Sequence, residues 1–479
     1  MTDASTSLHA TITGPVPGPL PTPVGSYDLA TLGYLEEEYF LSGTATSYAM
    51  VGDRGEDGQW TVAPAESASF TTRVIVRRPV DAAAFSGTVV VEWLNVSAGG
   101  DGGPEWTFMH RHMIREGMAW VGVSAQRVGI EGGGFVEGMH LKKVDPARYG
   151  DLAHPGDAYA YDIFMQAARA VRGAGDVAVL GPLSAERVIA AGESQSAGFL
   201  VTYINAVDPL TQVFDAFIAH GRGGPGSALE GMRMPTLKPG ETLDLEKLRA
   251  EARNRAPERL RADVRVPVMT IQSETDTNNM GDNLARQPDD DRVRLWEIAG
   301  TAHGDAYLVI AGAADDGTLS AELMAEMLAP TRELLGSVSE EPINTGPQQH
   351  YVAQAALAHV DRWVRDGTPP PSAPRLALKP DGGYETDANG NAVGGIRTPW
   401  VDAPIATLSG LGGAGGGWAS LFGRTAPFDA ATLASLYPGG RDDYLARARK
   451  SLSQAVDGGF ILAADVAEIE ALLGACYPS

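Results

Sequence analysis

Short runs of Val, Ile and Leu alternate along the chain with stretches in which apolar residues recur every three or four positions. The runs predict buried β-strands, and the helical spacing predicts amphipathic helices. Strands are predicted at residues 70–78, 87–94, 118–124, 187–191, 214–219, 266–271 and 293–298. Helices are predicted at about 105–115, 158–171, 197–207 and 352–365. This alternation predicts an α/β fold with a mainly parallel central sheet and helices on both faces.

Departures from the alternation define the predicted domain organisation. Residues 1–60 contain a Pro-rich run and are expected to form an extended, irregular segment. Residues 61–368 would form the core, with a charged, helix-prone insertion at 224–263 acting as a cap. Residues 369–479 begin with a Pro- and Gly-rich stretch and would form a C-terminal extension that packs on the core.

The overall composition argues against several kinds of partner and binding site. The net charge is −23 and is spread along the chain, which argues against nucleic acid and anionic membrane surfaces as partners. The only cysteine is Cys476, so neither an intrachain disulfide nor a cysteine-based metal site can form. The N-terminal residues lack the pattern of a signal peptide, and no segment approaches the roughly 20 apolar residues of a membrane span. A cytoplasmic location is therefore expected.

The segment AAGESQSAG at 190–198 lies between a predicted strand and a predicted helix. Gly-x-Ser-x-small at such a junction is typical of a nucleophile elbow, a tight turn that lifts a serine hydroxyl above the edge of the sheet. The turn strains the serine backbone, so the residues two positions away on either side must be small. Gly192 and Ser196 flank Ser194 in this way, although a second glycine is more usual than Ser196.

Ser196 is an alternative nucleophile, because Ser194 and Gly198 flank it at the same spacing. The predicted strand ends at Ala191, so only Ser194 lies at the tip of the turn with a glycine before it. We therefore predict that Ser194 is the nucleophile and that the N–H groups of the following helix face it.

A serine hydroxyl needs a base, and the base needs a carboxylate that orients it. After an elbow of this kind the acid and then the histidine follow, each behind a later strand. His303 comes directly after the strand at 293–298 and is the predicted base. Asp276 and Glu274 both follow the strand at 266–271. The usual spacing favours Asp276 as the acid and leaves Glu274 as the alternative.

An oxyanion hole requires two backbone N–H groups. One is expected from Gln195, directly after the nucleophile. The other is expected from the glycine-rich loop at 95–100, where Val96 is the first choice by position and the donor remains open. Candidates for contact with the substrate are Asn95, Ser97 and His220.

Two other patterns are weaker. The glycine-rich runs at 99–103 and 412–417 lack the lysine of a P-loop and the spacing of a dinucleotide-binding turn. His110 and His112 lie two positions apart in a predicted helix, so they face different directions and make a poor metal-binding pair. The sequence predicts neither a metal ion nor a cofactor.

The order of Ser194, Asp276 and His303 on an α/β pattern resembles that of the α/β-hydrolase superfamily. More narrowly, the chain resembles bacterial proteins described as alpha/beta hydrolase domain-containing. The segments that carry this resemblance are VEWLNV at 91–96, GESQS at 192–196, GPQQHYV at 346–352, DRWVRDGTPP at 361–370, IRTPWV at 396–401 and LYP at 436–438. The resemblance implies an α/β-hydrolase fold and a serine hydrolase, with hydrolysis of carboxylic esters as the expected reaction.

The predicted function is cleavage of a small-molecule ester through an acyl-enzyme intermediate. A lactonase or an amidase would use the same three residues, and the shape of the pocket would decide between these reactions. The alternative from another class is a non-catalytic ligand-binding protein on this fold, which would be expected to have lost one of the three. The sequence defines neither the natural substrate nor the oligomeric state.

Overall fold

The structure is a computed structural model that describes residues 10–21, 24–134, 138–231, 256–334, 337–380, 382–412 and 417–478. Its main feature is a nine-stranded sheet. The strands are β1 (Ala10–Thr13), β2 (Tyr34–Met50), β3 (Val62–Pro79), β4 (Thr88–Trp93), β5 (Ala119–Val123), β6 (Arg187–Glu193), β7 (Ala216–His220), β8 (Val268–Gln272) and β9 (Val293–Glu297). Their order is β1-β2-β3-β5-β4-β6-β7-β8-β9.

The sheet is antiparallel at one edge and parallel elsewhere. Strands β1, β2 and β3 pair antiparallel with their neighbours, and β3 is also antiparallel to β5. From β5 through β4 and β6 to β9, every pairing is parallel. The carboxyl ends of these six strands therefore lie at the same edge, which is where ligands bind in sheets of this kind.

Helices connect the strands and form most of the C-terminal region. They are α1 (Pro104–Arg115), α2 (Arg127–Glu131), α3 (Leu141–Val144), α4 (Pro146–Tyr149), α5 (Ala160–Val171), α6 (Gln195–Thr202), α7 (Asp208–Thr211), α8 (Glu274–Asn278), α9 (Ala321–Met327), α10 (Gln348–Asp366), α11 (Pro399–Asp402), α12 (Ala430–Leu436), α13 (Arg441–Asp457) and α14 (Val466–Cys476). Two short hairpin-like pairs join β10 (Glu333–Leu334) to β11 (Ser337–Val338) and β12 (Ala406–Ser409) to β13 (Arg424–Pro427).

Successive residues of a central strand contribute to different hydrophobic layers. Val89 and Val91 of β4 belong to the layer that contains Phe164 of α5. Val90, between them, belongs to the layer that contains Val352 of α10. Since side chains of a strand alternate between the two faces, the sheet is buried on both sides by helices. The prediction of an α/β fold with a mainly parallel sheet and helices on both faces is confirmed.

Within residues 1–60, expected to form an extended, irregular segment, the structure has two regular strands, the short β1 at residues 10–13 and the long β2 at residues 34–50. The acidic run at 36–38 conceals the strand, because three consecutive carboxylates are uncommon in a sheet. Each of these carboxylates is paired with an arginine in the structure. The pairs are Glu36–Arg77, Glu37–Arg78 and Glu38–Arg148, at N–O distances of 2.5, 3.1 and 2.5 Å.

The predicted cap insertion at 224–263 lies largely outside the described residues, because 232–255 are not among them. Its described flanks contact the N-terminal segment. Glu258 accepts a hydrogen bond from Arg54 Nε at 2.5 Å, and its other oxygen accepts one from the Gly226 N–H at 2.6 Å. The flanks are thus fixed to the body of the protein by one buried carboxylate.

The region after residue 369 contacts the core at the carboxyl edge of the sheet. The hydroxyl of Tyr384 donates to the backbone carbonyl of Glu274 at 2.5 Å, and Ile396 forms a parallel bridge with Ile298. Within the described part of the chain, none of the helices has the length and apolar character needed to cross a membrane.

Candidate active site

Ser194 lies between the last residue of β6 and the first residue of α6, and its backbone is strained. Its φ and ψ angles are 61° and −120°. A non-glycine residue in this region of φ costs about 1–3 kcal/mol, and such strain clusters at functional sites. Gly192 explains how the turn closes, since a β-carbon there would lie 3.1 Å from the Ser196 Cβ and 3.2 Å from the Leu200 Cδ1. A strained serine at the tip of a strand-to-helix turn is the backbone geometry predicted for this segment, and the role of Ser194 as nucleophile remains a prediction.

The structure brings Ser194, His303 and Asp276 into one hydrogen-bonded row. The Oγ of Ser194 lies 2.7 Å from Nε2 of His303. The Nδ1 of the same ring lies 2.5 Å from Oδ1 of Asp276. His303 is 7% exposed and Asp276 1%, so the row runs from a partly accessible hydroxyl into the protein interior.

Helix α8 fixes the position of Asp276. Ser273 caps this helix, and its side chain accepts a hydrogen bond from the Asp276 N–H. Asp276 Oδ2 in turn accepts from the Ser273 N–H and the Ser273 hydroxyl, both at 2.7 Å. This capping box holds one carboxylate oxygen and leaves the other to face His303.

The charges and hydrogen bonds around Asp276 and His303 determine which of their atoms carry a proton. Burial acts to raise the pKa of Asp276, but the His303 ring and the Ser273 donors outweigh it and lower the pKa below its usual value. An ionised carboxylate can only accept hydrogen bonds, so the proton of the neutral imidazole lies on Nδ1. Nε2 then carries a lone pair that can accept the proton of the Ser194 hydroxyl, which is the arrangement a general base requires.

Glu274, the alternative acid, makes different contacts. Its oxygens accept from the Gly300 N–H at 2.7 Å, the Gly410 N–H at 2.8 Å and the Ser409 hydroxyl at 3.1 Å. Burial raises its pKa to about 7. Glu274 therefore joins the loop before His303 to the C-terminal region, while Asp276 contacts the imidazole.

Among the described residues, the backbone N–H groups of both expected oxyanion donors have no hydrogen-bond acceptor. Gln195 is the first residue of α6, so its N–H has no partner within the helix. In the loop after β4, the Asn95 N–H donates to Gly102 at 2.9 Å and the Ser97 N–H to the Asn95 side chain at 2.8 Å. The Val96 N–H has no acceptor among the described residues. The assignment of Gln195 and Val96 remains a prediction.

The sequence pattern does not single out Glu193, although this residue directly precedes the predicted nucleophile. Its Oε1 lies 3.3 Å from Nε2 of His303, and the Asn95 side-chain amide donates to its backbone carbonyl at 3.1 Å. The only signal in the sequence is a carboxylate at the second position of the elbow. Asn95, expected to contact substrate, thus joins the loop after β4 to the end of β6.

His220, also expected to contact substrate, is 1% exposed at the end of β7. Its Nδ1 lies 3.2 Å from Oε2 of Glu105. The ring is covered by its neighbours, and a contact between His220 and a substrate remains a prediction. Its backbone carbonyl accepts from the Ser194 N–H at 2.8 Å, so His220 supports the elbow through its main chain.

One group of side chains has the composition of a metal site. Asp315, His350 and Glu468 place one ligand atom each within 4.8 Å of one another. However, Arg111 donates to Asp315 at 2.8 Å and to Glu468 at 2.7 Å. A cation would have to displace this guanidinium, so the group is an ion-pair network that joins α1 to α14.

The comparisons with known proteins agree with this geometry at the level of fold. The sequence matches the family described as Alpha/beta hydrolase domain over residues 5–471, so the chain belongs to this family. The resemblance inferred from the sequence motifs is confirmed. A search of curated proteins gives no match.

Solved structures of α/β hydrolases resemble the chain distantly. An α/β serine hydrolase without a lid from Xanthomonas campestris is 13% identical over 54% of this chain and 86% of its own, with a TM-score of 0.28. An esterase from Rhizomucor miehei is 14% identical over 68% of this chain and 85% of its own, with a TM-score of 0.28. An acetyl xylan esterase from Paenibacillus sp. R4 is 12% identical over 60% and 82%, with a TM-score of 0.27. Similarities of this size carry no information on the substrate.

Proposed function

We propose that the protein is a serine hydrolase that cleaves carboxylic esters through an acyl-enzyme intermediate. The observation that carries the proposal is the contact of His303 with two partners. Its Nε2 lies 2.7 Å from Ser194 Oγ and its Nδ1 lies 2.5 Å from Asp276 Oδ1. A buried carboxylate, a neutral imidazole and a strained serine in this order form an activated nucleophile.

In the first half of the reaction, the Ser194 oxygen attacks the ester carbonyl carbon while its proton moves to His303 Nε2. The electrons of the carbonyl double bond move onto the oxygen, which the N–H groups of Gln195 and Val96 would stabilise. The bond to the leaving oxygen then breaks, and Nε2 returns its proton to that oxygen. An alcohol leaves, and the acyl group remains on Ser194.

In the second half, water replaces the alcohol. His303 takes a proton from water as the water oxygen attacks the acyl carbon, and the bond to Ser194 Oγ breaks as that proton is returned to the serine. The carboxylic acid leaves. Asp276 holds the imidazole in the required tautomer throughout and stabilises its charged form without taking a proton itself.

The direct test is covalent labelling with a fluorophosphonate, followed by mapping of the adduct by peptide mass. We expect one adduct, on Ser194, and none in the folded Ser194→Ala variant. Ser196→Ala is the matched control, because Ser196 lies two residues away and is fully buried. An adduct on another serine, or a folded wild-type protein without one, would contradict the proposal.

Turnover then separates ester cleavage from related reactions. We expect hydrolysis of p-nitrophenyl esters of graded acyl length, and loss of this activity in Ser194→Ala. Comparison of open-chain esters with lactones and amides at equal concentration tests the proposed reaction type. Faster turnover of lactones or amides would retain the serine mechanism but replace the proposed substrate class.

A further inference from the structure

Glu193 precedes the proposed nucleophile and contacts the proposed base, but the mechanism above assigns it no role. Its Oε1 lies 3.3 Å from His303 Nε2, the nitrogen that also lies 2.7 Å from Ser194 Oγ. The side chain is 6% exposed. Two carboxylates therefore flank the imidazole, with Asp276 at one ring nitrogen and Glu193 at the other.

The position of the Glu193 carboxylate is fixed by its neighbours. The side-chain amide of Asn95 lies 3.3 Å from Oε2 and 3.1 Å from the backbone carbonyl of the same glutamate. One carboxylate oxygen is thus held by an amide donor, and the other faces His303. On a third side, a β-carbon at Gly221 would lie 3.4 Å from Oε1, so the backbone directly after β7 packs closely against the carboxylate.

Four titratable groups face Glu193 from the elements packed around it. They are His303, His220, Asp276 and Glu105. Burial raises the pKa of Glu193 to about 7, the two imidazoles act to lower it, and the two carboxylates act to raise it. Around neutral pH this carboxylate therefore carries a charge that responds to the protonation of His303.

We propose that Glu193 is a second carboxylate of the active site, which stabilises the imidazolium form of His303 from the Nε2 side while Asp276 does so from the Nδ1 side. This inference rests on the proposed function. When His303 takes the proton of Ser194, that proton lies on Nε2, where Oε1 of Glu193 and the leaving oxygen are both neighbours. The proton passes from Ser194 to Nε2 and on to the leaving oxygen, and Glu193 exchanges none.

The proposal predicts the direction of a pH shift. A negative charge close to a base favours its charged form, so ionised Glu193 raises the pKa of His303. In Glu193→Gln the charge is gone, and we expect the pKa of His303 to fall by about one unit. The acidic limb of the kcat/KM profile would move to lower pH by the same amount. The rate at its alkaline plateau would fall by about tenfold, because the imidazolium formed during acylation has lost one partner.

Two measurements on the full chain test this prediction. The first is the pH dependence of kcat/KM on a p-nitrophenyl ester for the wild type and Glu193→Gln. The second is an NMR titration of the His303 ring in protein labelled with ¹³C-histidine, assigned by its absence in His303→Asn. Glu186→Gln is the control, since Glu186 is 69% exposed and pairs with Arg187 away from the site. We expect it to leave the titration and the profile unchanged.

An active, folded Glu193→Gln with the wild-type pKa of His303 and the wild-type acidic limb would overturn the proposal. If this variant does not fold, Glu193→Asp decides instead, because its carboxylate is retained but withdrawn from Nε2 by one methylene. A smaller fall in the pKa of His303 is then expected, and no change would overturn the role of Glu193. A wild-type protein that neither reacts with the fluorophosphonate nor hydrolyses esters would contradict the proposed function. It would then also contradict the role of Glu193 in turnover.

Discussion

Glu274 and Asp276 lie two residues apart on α8 and hold the two ends of the loop that carries His303. Glu274 accepts from the N–H of Gly300, at the start of the loop, at 2.7 Å. Asp276 contacts the imidazole of His303 at 2.5 Å. One short helix therefore both positions the loop and orients the ring at its end.

We expect Asp276→Asn to lower kcat by about 10⁴-fold with little change in folding. An asparagine amide can donate to Nδ1, which favours the tautomer with its proton on Nε2. That tautomer cannot accept the Ser194 proton, and the imidazolium also loses its ion pair. The measurement is kcat on one p-nitrophenyl ester, with circular dichroism to confirm the fold.

Glu274→Gln is the matched comparison. It replaces an acceptor of three hydrogen bonds with a group that cannot accept them all, so we expect a loss of about 1–3 kcal/mol in the free energy of unfolding. Its kcat should fall far less than that of Asp276→Asn. The reverse order of effects would identify Glu274 as the acid of the triad and contradict the assignment to Asp276.

The sequence predicts the elbow well because the requirements of the elbow are local. Gly192, Ser194 and Ser196 are neighbours in the chain, and the strand and helix around them are recognisable from their own residues. Which of Glu274 and Asp276 contacts the imidazole is not decided by neighbouring residues in the chain. It depends on Ser409 and Gly410, which bind Glu274 from more than 130 residues away.

The pattern along the chain does not single out Glu193 or Asp101, because their partners lie on or directly after other strands. Glu193 meets Asn95 because β6 lies beside β4 in the sheet. Asp101 meets Arg73 because the loop after β4 folds back towards β3. A pattern along the chain contains no trace of such pairings, because the strand order that creates them is set by packing of the whole sheet.

Gly221 allows the imidazole of His303 to occupy its position. Its φ is +61°, and a β-carbon would lie 3.2 Å from both Cε1 and Nδ1 of the ring. In Gly221→Ala we expect the ring to shift from Ser194, and kcat to fall by about 100-fold, because displacements near 1 Å at a reacting group have effects of this size. The measurement is kcat together with the rate of fluorophosphonate labelling.

Gly173→Ala controls for backbone strain. Its φ is +83°, and a β-carbon there would have no neighbour within 4 Å. Both substitutions place an alanine in the left-handed region, which should lower the free energy of unfolding by about 1–2 kcal/mol. Only Gly221→Ala should lose activity per folded molecule, and equal activity in both variants would exclude the contact with His303 as the cause.

Asp101 anchors the loop that contains Val96. Its Oδ2 lies 2.7 Å from Arg73 Nη2, and the two side chains are 2% and 1% exposed. The Ser124 hydroxyl also donates to this carboxylate. We expect Asp101→Asn to lower the free energy of unfolding by about 3–5 kcal/mol, since it leaves a buried guanidinium with one charged partner fewer. Turnover should fall as well, because the loop is less firmly held.

Urea denaturation and kcat of the same samples measure both effects. Glu36→Gln is the control, because Glu36 pairs with Arg77 on the same strand as Arg73 but is 19% exposed. It should lose less stability and keep the wild-type kcat. If Asp101→Asn keeps the wild-type kcat when fully folded, the contact of Asp101 with Arg73 does not support the proposed oxyanion donor Val96.

His112 is a source of acid sensitivity outside the active site. The side chain is 4% exposed, and neither ring nitrogen has a hydrogen-bond partner among the described residues. Burial and, to a smaller extent, the charge of Arg115 together lower the pKa of His112 to about 3. The unfolded chain would take up a proton at this histidine near pH 6.5. Between pH 6.5 and 3 the unfolded state alone is protonated here, so stability falls as the pH falls through this window.

We expect His112→Phe to remove this dependence, since phenylalanine has no titratable nitrogen and leaves no buried polar atom without a partner. The variant should gain free energy of unfolding over the wild type as the pH falls. This gain should be about 2 kcal/mol larger at pH 5 than at pH 8. Thermal unfolding at both pH values measures the difference. His350→Phe is the comparison, because burial also lowers the pKa of His350 to about 3, but its Nδ1 lies 2.6 Å from the carbonyl of Phe108. It should show the same relative gain at pH 5 yet lose stability at pH 8. An unaltered pH dependence in His112→Phe would instead mean that His112 takes up its proton at the same pH in the folded and unfolded states.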